Sequence, residues 1–126
     1  MFFTQNEEKS SILKRYRLDL FTYDGFTVGF VKFELPAVSV MYIFNLKVYY
    51  KFRRKGYAKL LLKETIKRIK EFDGITKITI NALPFADCEC PLNDLIKFYA
   101  SFGFQTFNIN TDNTHNMSLE LTTTFQ

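Results

Sequence analysis

Val48-Tyr49-Tyr50-Lys51-Phe52-Arg53-Arg54-Lys55-Gly56-Tyr57-Ala58 is a cationic turn between two differently patterned segments. Upstream, Ser39 to Val48 reads as a strand. Val40, Tyr42, Phe44, Leu46 and Val48 are expected on one face, Met41 and Ile43 on the other. A strand apolar on both faces is central in a sheet, with helices covering it. Downstream, from Gly56 to Phe72, the period becomes helical. Ala58, Leu61, Leu62, Thr65, Ile66, Ile69 and Phe72 form one stripe, and Lys59, Lys63, Lys67 and Lys70 the other. A strand that enters a glycine turn and then a helix leaves the first helical N–H groups unpaired at the positive end of the helix dipole. Arg53, Arg54 and Lys55 add full charges at the same place. The stretch reads as a pyrophosphate grip. It is neither GxxxxGK[ST] nor GxGxxG. What remains is Arg-x-x-Gly-x-Ala after a central strand, with small residues at 56 and 58 that let a phosphate approach the backbone.

Working outward, Asp73-Gly74 stops the helix. Lys77 to Ala82 then reads as a short strand, with Ile78, Ile80 and Ala82 inward. Strand, helix and strand make a parallel crossover. Residues 83–90 read as a loop, and Pro91 suits the first turn of a second helix. That helix carries Leu92, Leu95, Ile96, Tyr99 and Phe102 on its stripe and closes at Gly103. Phe104 to Phe107 is expected as a strand, Asn108 to Asn116 as a polar turn region, and Met117 to Leu121 as a last, antiparallel strand. On the other side, Tyr16, Leu18 and Leu20 alternate with Arg15, Arg17 and Asp19 from about Leu13 onward, as in a half-buried strand. Asp24-Gly25 signals a hairpin. The return strand runs from about Phe26 to Leu35 and ends at Pro36. Residues 1–11 are polar towards their end and read as a loosely ordered lead-in. The pattern defines an α/β protein of the α+β type, with a mostly antiparallel mixed sheet, a central parallel pair and helices on its faces.

A chain of 126 residues fits one domain. A hydrophobic content of 47% with fifteen Phe supplies its core. The net charge of +4 suits an anionic ligand but singles out none. Cys88 and Cys90, one residue apart, make a poor structural disulfide, which points to a reducing, cytoplasmic setting. No secretory h-region follows Met1, and no apolar run approaches the roughly 20 residues of a membrane span. Cys88, Cys90 and His115 do not have the spacing of a four-ligand zinc site, so no metal is expected. The lysine face of the long helix reads as solvated. No aromatic–basic signature marks it as a nucleic-acid surface.

The run Ile43-Phe44-Asn45-Leu46-Lys47-Val48, then Arg53-Arg54-Lys55-Gly56-Tyr57-Ala58, then Leu60-Leu61-Leu62 resembles the acetyl-CoA site of the GNAT acetyltransferase superfamily. Leu95-Ile96-Lys97-Phe98-Tyr99-Ala100-Ser101-Phe102-Gly103-Phe104 resembles that family's helix ending in Tyr-x-x-x-Gly-Phe. The two blocks stand in family order and together cover roughly residues 12 to 121. The resemblance implies a V-shaped splay between the central strand and the next. It implies acetyl-CoA as co-substrate and an amine, small molecule or protein, as acceptor, by direct attack in a ternary complex. It assigns the pyrophosphate to the backbone N–H groups of Arg54, Lys55, Gly56, Tyr57, Ala58 and Lys59, with Arg53 in support. The pantetheine arm would pair with the backbone of Leu46 and Val48. The Leu46 N–H would polarise the thioester carbonyl, and Tyr99 would give a proton to the departing thiolate.

Three departures from the family pattern bear on the acceptor side. Family members with a glutamate base often carry it on the central strand, where this chain has Tyr42; Glu34, Asp87 and Glu89 are the other acids near the expected cleft. The family's Asn seven residues before the Tyr is here Leu92, with Asn93 one position off. Two helices that usually precede the hairpin have no counterpart in the dozen residues before the first clear strand. The acceptor side is therefore expected to be open, or completed by a partner or a second copy. A catalytically silent CoA-binding module and a basic nucleic-acid-binding domain are the alternative functions.

Overall fold

The structure, a computed structural model, describes residues 1–8, 14–83 and 91–121. The strand start expected at Leu13, Cys88, Cys90, Asp87, Glu89 and nearly all of the 83–90 loop lie outside the described residues. Seven strands form one sheet: β1 (Phe2–Glu8), β2 (Lys14–Phe21), β3 (Thr27–Ala37), β4 (Val40–Val48), β5 (Lys77–Ala82), β6 (Gln105–Ile109) and β7 (His115–Glu120). Their order is β1-β2-β3-β4-β5-β7-β6. Only β4 and β5 are parallel; every other pair is antiparallel. The crossover between β4 and β5 is helix α1 (Tyr57–Ile69), and α2 (Leu92–Ala100) connects β5 to β6.

Of the expected lead-in at residues 1–11, residues 2–8 form strand β1 instead, and residues 9–11 lie outside the described residues. Residues 2–8 pair with β2 along their whole length, from Phe2↔Phe21 to Glu8↔Arg15. Two contacts fix the strand: Phe2 stacks on Phe21 at 5.4 Å between ring centroids, and Phe3 packs against the core. Its polar Gln5, Asn6, Glu7 and Glu8 belong to a sheet edge, where only one side needs a partner.

The face assignment of β4 is also corrected. Lys32 pairs with Asn45 and Phe33 with Ile43, so Phe44 is an extra residue in a β-bulge. The bulge shifts the alternation by one. Met41, Ile43 and Leu46 are buried on one face, and Leu46 does not share a face with Val40 and Tyr42. A second irregularity lies between Glu34 and Ala37. It takes up Pro36, which sits inside β3 where no ladder hydrogen bond is needed.

Register carries the faces across the sheet. Leu18 pairs with Val31, Val31 with Leu46, Phe33 with Ile43, Ile43 with Ile80, and Ile80 with Met117. All are buried and make one apolar face. Helix α1 lays Leu61, Leu62, Ile66 and Ile69 on it. Each such side chain contributes about 1.5–3 kcal/mol on burial. At Gly29 a Cβ would run into the Lys47 carbonyl oxygen and come within 3.0 Å of Leu61 Cδ1, so glycine there lets β3, β4 and α1 meet. Phe102, just past α2, lines a groove with Leu60 and Ile66 of α1 and Leu119 of β7. Both helices therefore lie on the same face.

The opposite face carries no described helix. Arg15 pairs with Glu34 at 2.8 Å, Arg17 with Asp19 at 2.9 Å, and Lys32 with Glu8 at 3.9 Å. The Arg17 guanidinium lies 4.1 Å from the centroid of Phe30 and that of Arg15 5.3 Å from Phe44. Charged side chains with long apolar stems thus cover the aromatic rings where a helix would otherwise sit.

Candidate active site

The site grows from a ladder that stops early. β4 and β5 pair from Val40↔Lys77 to Ile43↔Ile80 and no further, although β4 continues to Val48. The strands part beyond Ile43, which is the expected splay. On its other side β4 stays paired to β3. The Tyr49 N–H donates to the Val28 carbonyl at 2.9 Å. Backbone direction alternates along a strand, so Lys47 turns its N–H and C=O to β3. Leu46 and Val48 turn theirs to the open edge facing the splay. Arg53 bears this out, donating from Nε to the Val48 carbonyl at 2.8 Å.

The chain then makes a short 3-10 turn at Tyr50–Phe52. Arg54 follows with φ 62° and Gly56 with φ 82°. Two left-handed residues two apart bend the chain sharply just before α1, and backbone turns of this kind can present their N–H groups to an anion. Gly56 is the N-cap of α1, and no side chain caps the helix. The first intrahelical bond is Leu60 N–H to the Gly56 carbonyl, 3.2 Å. The N–H groups of Tyr57, Ala58 and Lys59 therefore have no carbonyl of the helix to bond. The first turn holds no acidic residue. A Cβ at Gly56 would meet nothing within 4 Å, so space above the turn is open.

Between the parted strands lies a cleft of about 320 Å³. Leu46 and Phe44 of β4 line it, and so does Tyr99 of α2. Tyr99 is only 3% exposed; its ring packs edge-on against Phe98 at 5.5 Å and Phe104 at 6.1 Å. Tyr42 also lines the cleft. Burial, and secondarily the charge of Glu34, raise its phenol above the ordinary value of 10.0. Glu34 itself is bonded to Arg15 outside the cleft lining. Leu92 and Asn93 begin α2 and do not line the cleft.

The far wall is a polar layer that sequence reading left as an undifferentiated turn. Asn81 Nδ2 of β5 donates to Asn116 Oδ1 at 2.6 Å, and Asn116 Nδ2 donates to Asn110 Oδ1 at 3.2 Å. Asn110 N–H bonds the Thr114 carbonyl at 2.8 Å, and Asn113 N–H the Asn110 carbonyl at 2.9 Å. Asn113 takes φ 69° at the tip. Within this turn Asp112 Oδ1 accepts from the Thr114 N–H at 3.0 Å and from its hydroxyl at 2.6 Å. Those two bonds hold the carboxyl below the usual 3.8. The density of Asn, Asp and Thr over residues 108–116 was the available signal. His115, expected in the turn, opens β7, and its Nδ1 shares a 2.8 Å hydrogen bond with the Thr106 hydroxyl.

The chain matches the acetyltransferase (GNAT) family model over residues 5–104. It belongs to the GNAT family of acetyltransferases, whose co-substrate is acetyl-CoA. Solved structures agree in fold. A GNAT acetyltransferase from Elizabethkingia anophelis, with acetyl-CoA bound, superposes with a TM-score of 0.69 at 16% identity, covering 94% of this chain and 98% of that one. An acetyltransferase from Bacillus cereus ATCC 14579 gives 0.70 at 21% identity, over 87% of this chain and 75% of that one. The ribosomal-protein-S18-alanine N-acetyltransferase from Escherichia coli gives 0.66 at 17% identity, over 94% and 75%. No curated protein matches the chain in sequence. No described helix is long and apolar enough to cross a membrane.

Proposed function

We propose that this chain is an N-acetyltransferase that moves an acetyl group from acetyl-CoA to a primary amine by direct attack in a ternary complex. The observation that carries the reading is the outward-facing backbone of Leu46 on the open edge of β4. The cationic turn at 53–56 stands beyond one end of that edge, and the cleft with Tyr99 stands at the other. The turn and the N–H groups of Arg54 to Lys59 would take the pyrophosphate, with Arg53 fixing the turn to the strand. The pantetheine arm would run along β4 as an added strand. Val48 offers its N–H, since its carbonyl is already held by Arg53. The Leu46 N–H would point at the thioester oxygen.

The amine nitrogen bonds to the acetyl carbon, and charge builds on the oxygen facing Leu46 N–H. The carbon–sulfur bond then breaks with its electron pair on sulfur. The Tyr99 hydroxyl donates a proton to that sulfur. The nitrogen gives its excess proton to water; among the described residues, Glu34 is engaged with Arg15 and Tyr42 is held neutral.

The test is a titration followed by an assay. Acetyl-CoA at 100 times its dissociation constant should stabilise the fold by about 2.7 kcal/mol, and primary amines should then be acetylated. Absence of the thermal shift removes the cofactor reading. Binding with no transfer to any amine leaves a CoA-binding module.

A further inference from the structure

We infer that Asp112 selects the acceptor, and that the acceptor is a small amine carrying a second positive charge, a diamine or polyamine. The inference rests on the acetyltransferase reading above. Asp112 is the sole charged residue among the described residues that line the cleft; no Lys or Arg lines it. Its Oδ1 is taken by Thr114, while Oδ2 has no protein partner among the described residues. The carboxylate is held in one orientation by a turn that the Asn81–Asn116–Asn110 bonds tie back to β5.

A proton acceptor and a cation receptor are different tasks. Two donated hydrogen bonds stabilise the ionised form and make Asp112 a poor base. The same bonds leave a fixed negative oxygen at neutral pH. The attacking nitrogen must be uncharged, so it cannot be this oxygen's ionic partner. A second ammonium on the same molecule can. Polarity along the site agrees: the donor end gathers Arg53, Arg54 and Lys55, and the acceptor end presents one carboxylate among the described residues. A dication therefore enters with its reactive end between the two. The cleft of about 320 Å³ suits a small molecule. On the sheet face beside it Arg15, Arg17 and Lys32 are each paired with an acid, Glu34, Asp19 and Glu8, so that face offers a basic protein surface no unpaired negative charge.

The experiment measures binding of spermidine, 1,3-diaminopropane, propylamine and a lysine-rich peptide to the CoA-loaded protein by calorimetry. Wild type is compared with Asp112→Asn, and the CoA titration is recorded for both. Spermidine and the diamine should bind wild type about five- to tenfold tighter than propylamine, an exposed but charge-assisted contact. Asp112→Asn should erase that ratio. A ratio near one in wild type, or one that survives in Asp112→Asn, overturns the inference while CoA binding still supports the acetyltransferase reading. A peptide that binds more tightly than spermidine overturns the small-molecule assignment. Failure of wild type to bind CoA removes both readings. In turnover, a base would show itself differently: kcat would fall for mono- and diamines alike in Asp112→Asn, with the diamine preference intact, and that too would overturn the assignment.

Discussion

Arg53 Nε donates to the Val48 carbonyl oxygen across 2.8 Å, closing the turn between β4 and α1 on itself. One side chain thus ties the end of the open strand edge to the cationic corner where the anion would sit. Arg53→Ala should raise the dissociation constant for CoA by roughly 10- to 100-fold, the range for loss of a charge-assisted hydrogen bond. Arg53→Glu should do so more strongly. Calorimetric titration with CoA measures both, and unchanged affinity in Arg53→Ala would show that the turn needs no tether.

Tyr99→Phe removes the hydroxyl and keeps the ring packed on Phe98 and Phe104. Acetyl-CoA should bind nearly as before, while kcat falls about 10²- to 10⁴-fold, as for loss of a general acid. Steady-state kinetics beside a binding titration separates the two. Normal turnover would take Tyr99 out of the acid role.

Gly29 and Gly56 are glycines for different reasons, and their alanine variants should differ. At Gly29 the added Cβ strikes the Lys47 carbonyl, so Gly29→Ala should cost about 1–3 kcal/mol through forced repacking. At Gly56 the Cβ meets nothing, but φ is 82°. Gly56→Ala should cost about 1–2 kcal/mol through the left-handed conformation alone. It should also weaken CoA binding, since the turn relaxes away from it. Urea unfolding gives the stabilities and a CoA titration the rest.

The Asp112 turn should depend on pH in one direction. Its folded pKa lies below the unfolded one, because of the side-chain and backbone hydrogen bonds from Thr114. Its contribution is therefore fully present above the ordinary carboxylate value and disappears as pH falls through the depressed folded value. Tyr42 has the opposite sign. Burial raises its pKa, so the phenol's contribution holds below the ordinary value of 10.0 and is lost as pH rises through the folded one. NMR chemical shifts of the Thr114 amide and the Tyr42 ring across an acid and an alkaline titration follow each event. A Thr114 amide that titrates at the usual carboxylate value would contradict the first.

Most of the proposed donor half could be read from residues 39–72. Strand alternation, the Arg-x-x-Gly-x-Ala turn and helical periodicity agree there, and each is a local signal. What the sequence concealed depends on pairing between distant segments. β1 is too polar to announce itself and becomes a strand because β2 offers an edge, with Phe2 and Phe3 as anchors. The bulge at Phe44 arises from fitting β4 against β3, and no residue at that position spells it. β7 inserts between β5 and β6, a swap of neighbours invisible in chain order. The polar wall formed by Asn81, Asn110 and Asn116 joins residues 35 positions apart.

The bulge at Phe44 makes β4 two short segments in series, coupled by an expansion joint. Met41 and Ile43 are held by the ladder with β5, and Leu46 and Val48 by their pairing with Val31 and Gly29 of β3, continued by the Tyr49–Val28 bond. The slack residue between them absorbs mismatch. Repacking around Met41 and Ile43 can therefore alter the core without turning the Leu46 amide away from the splay, and the core and the donor site can drift independently along one continuous strand.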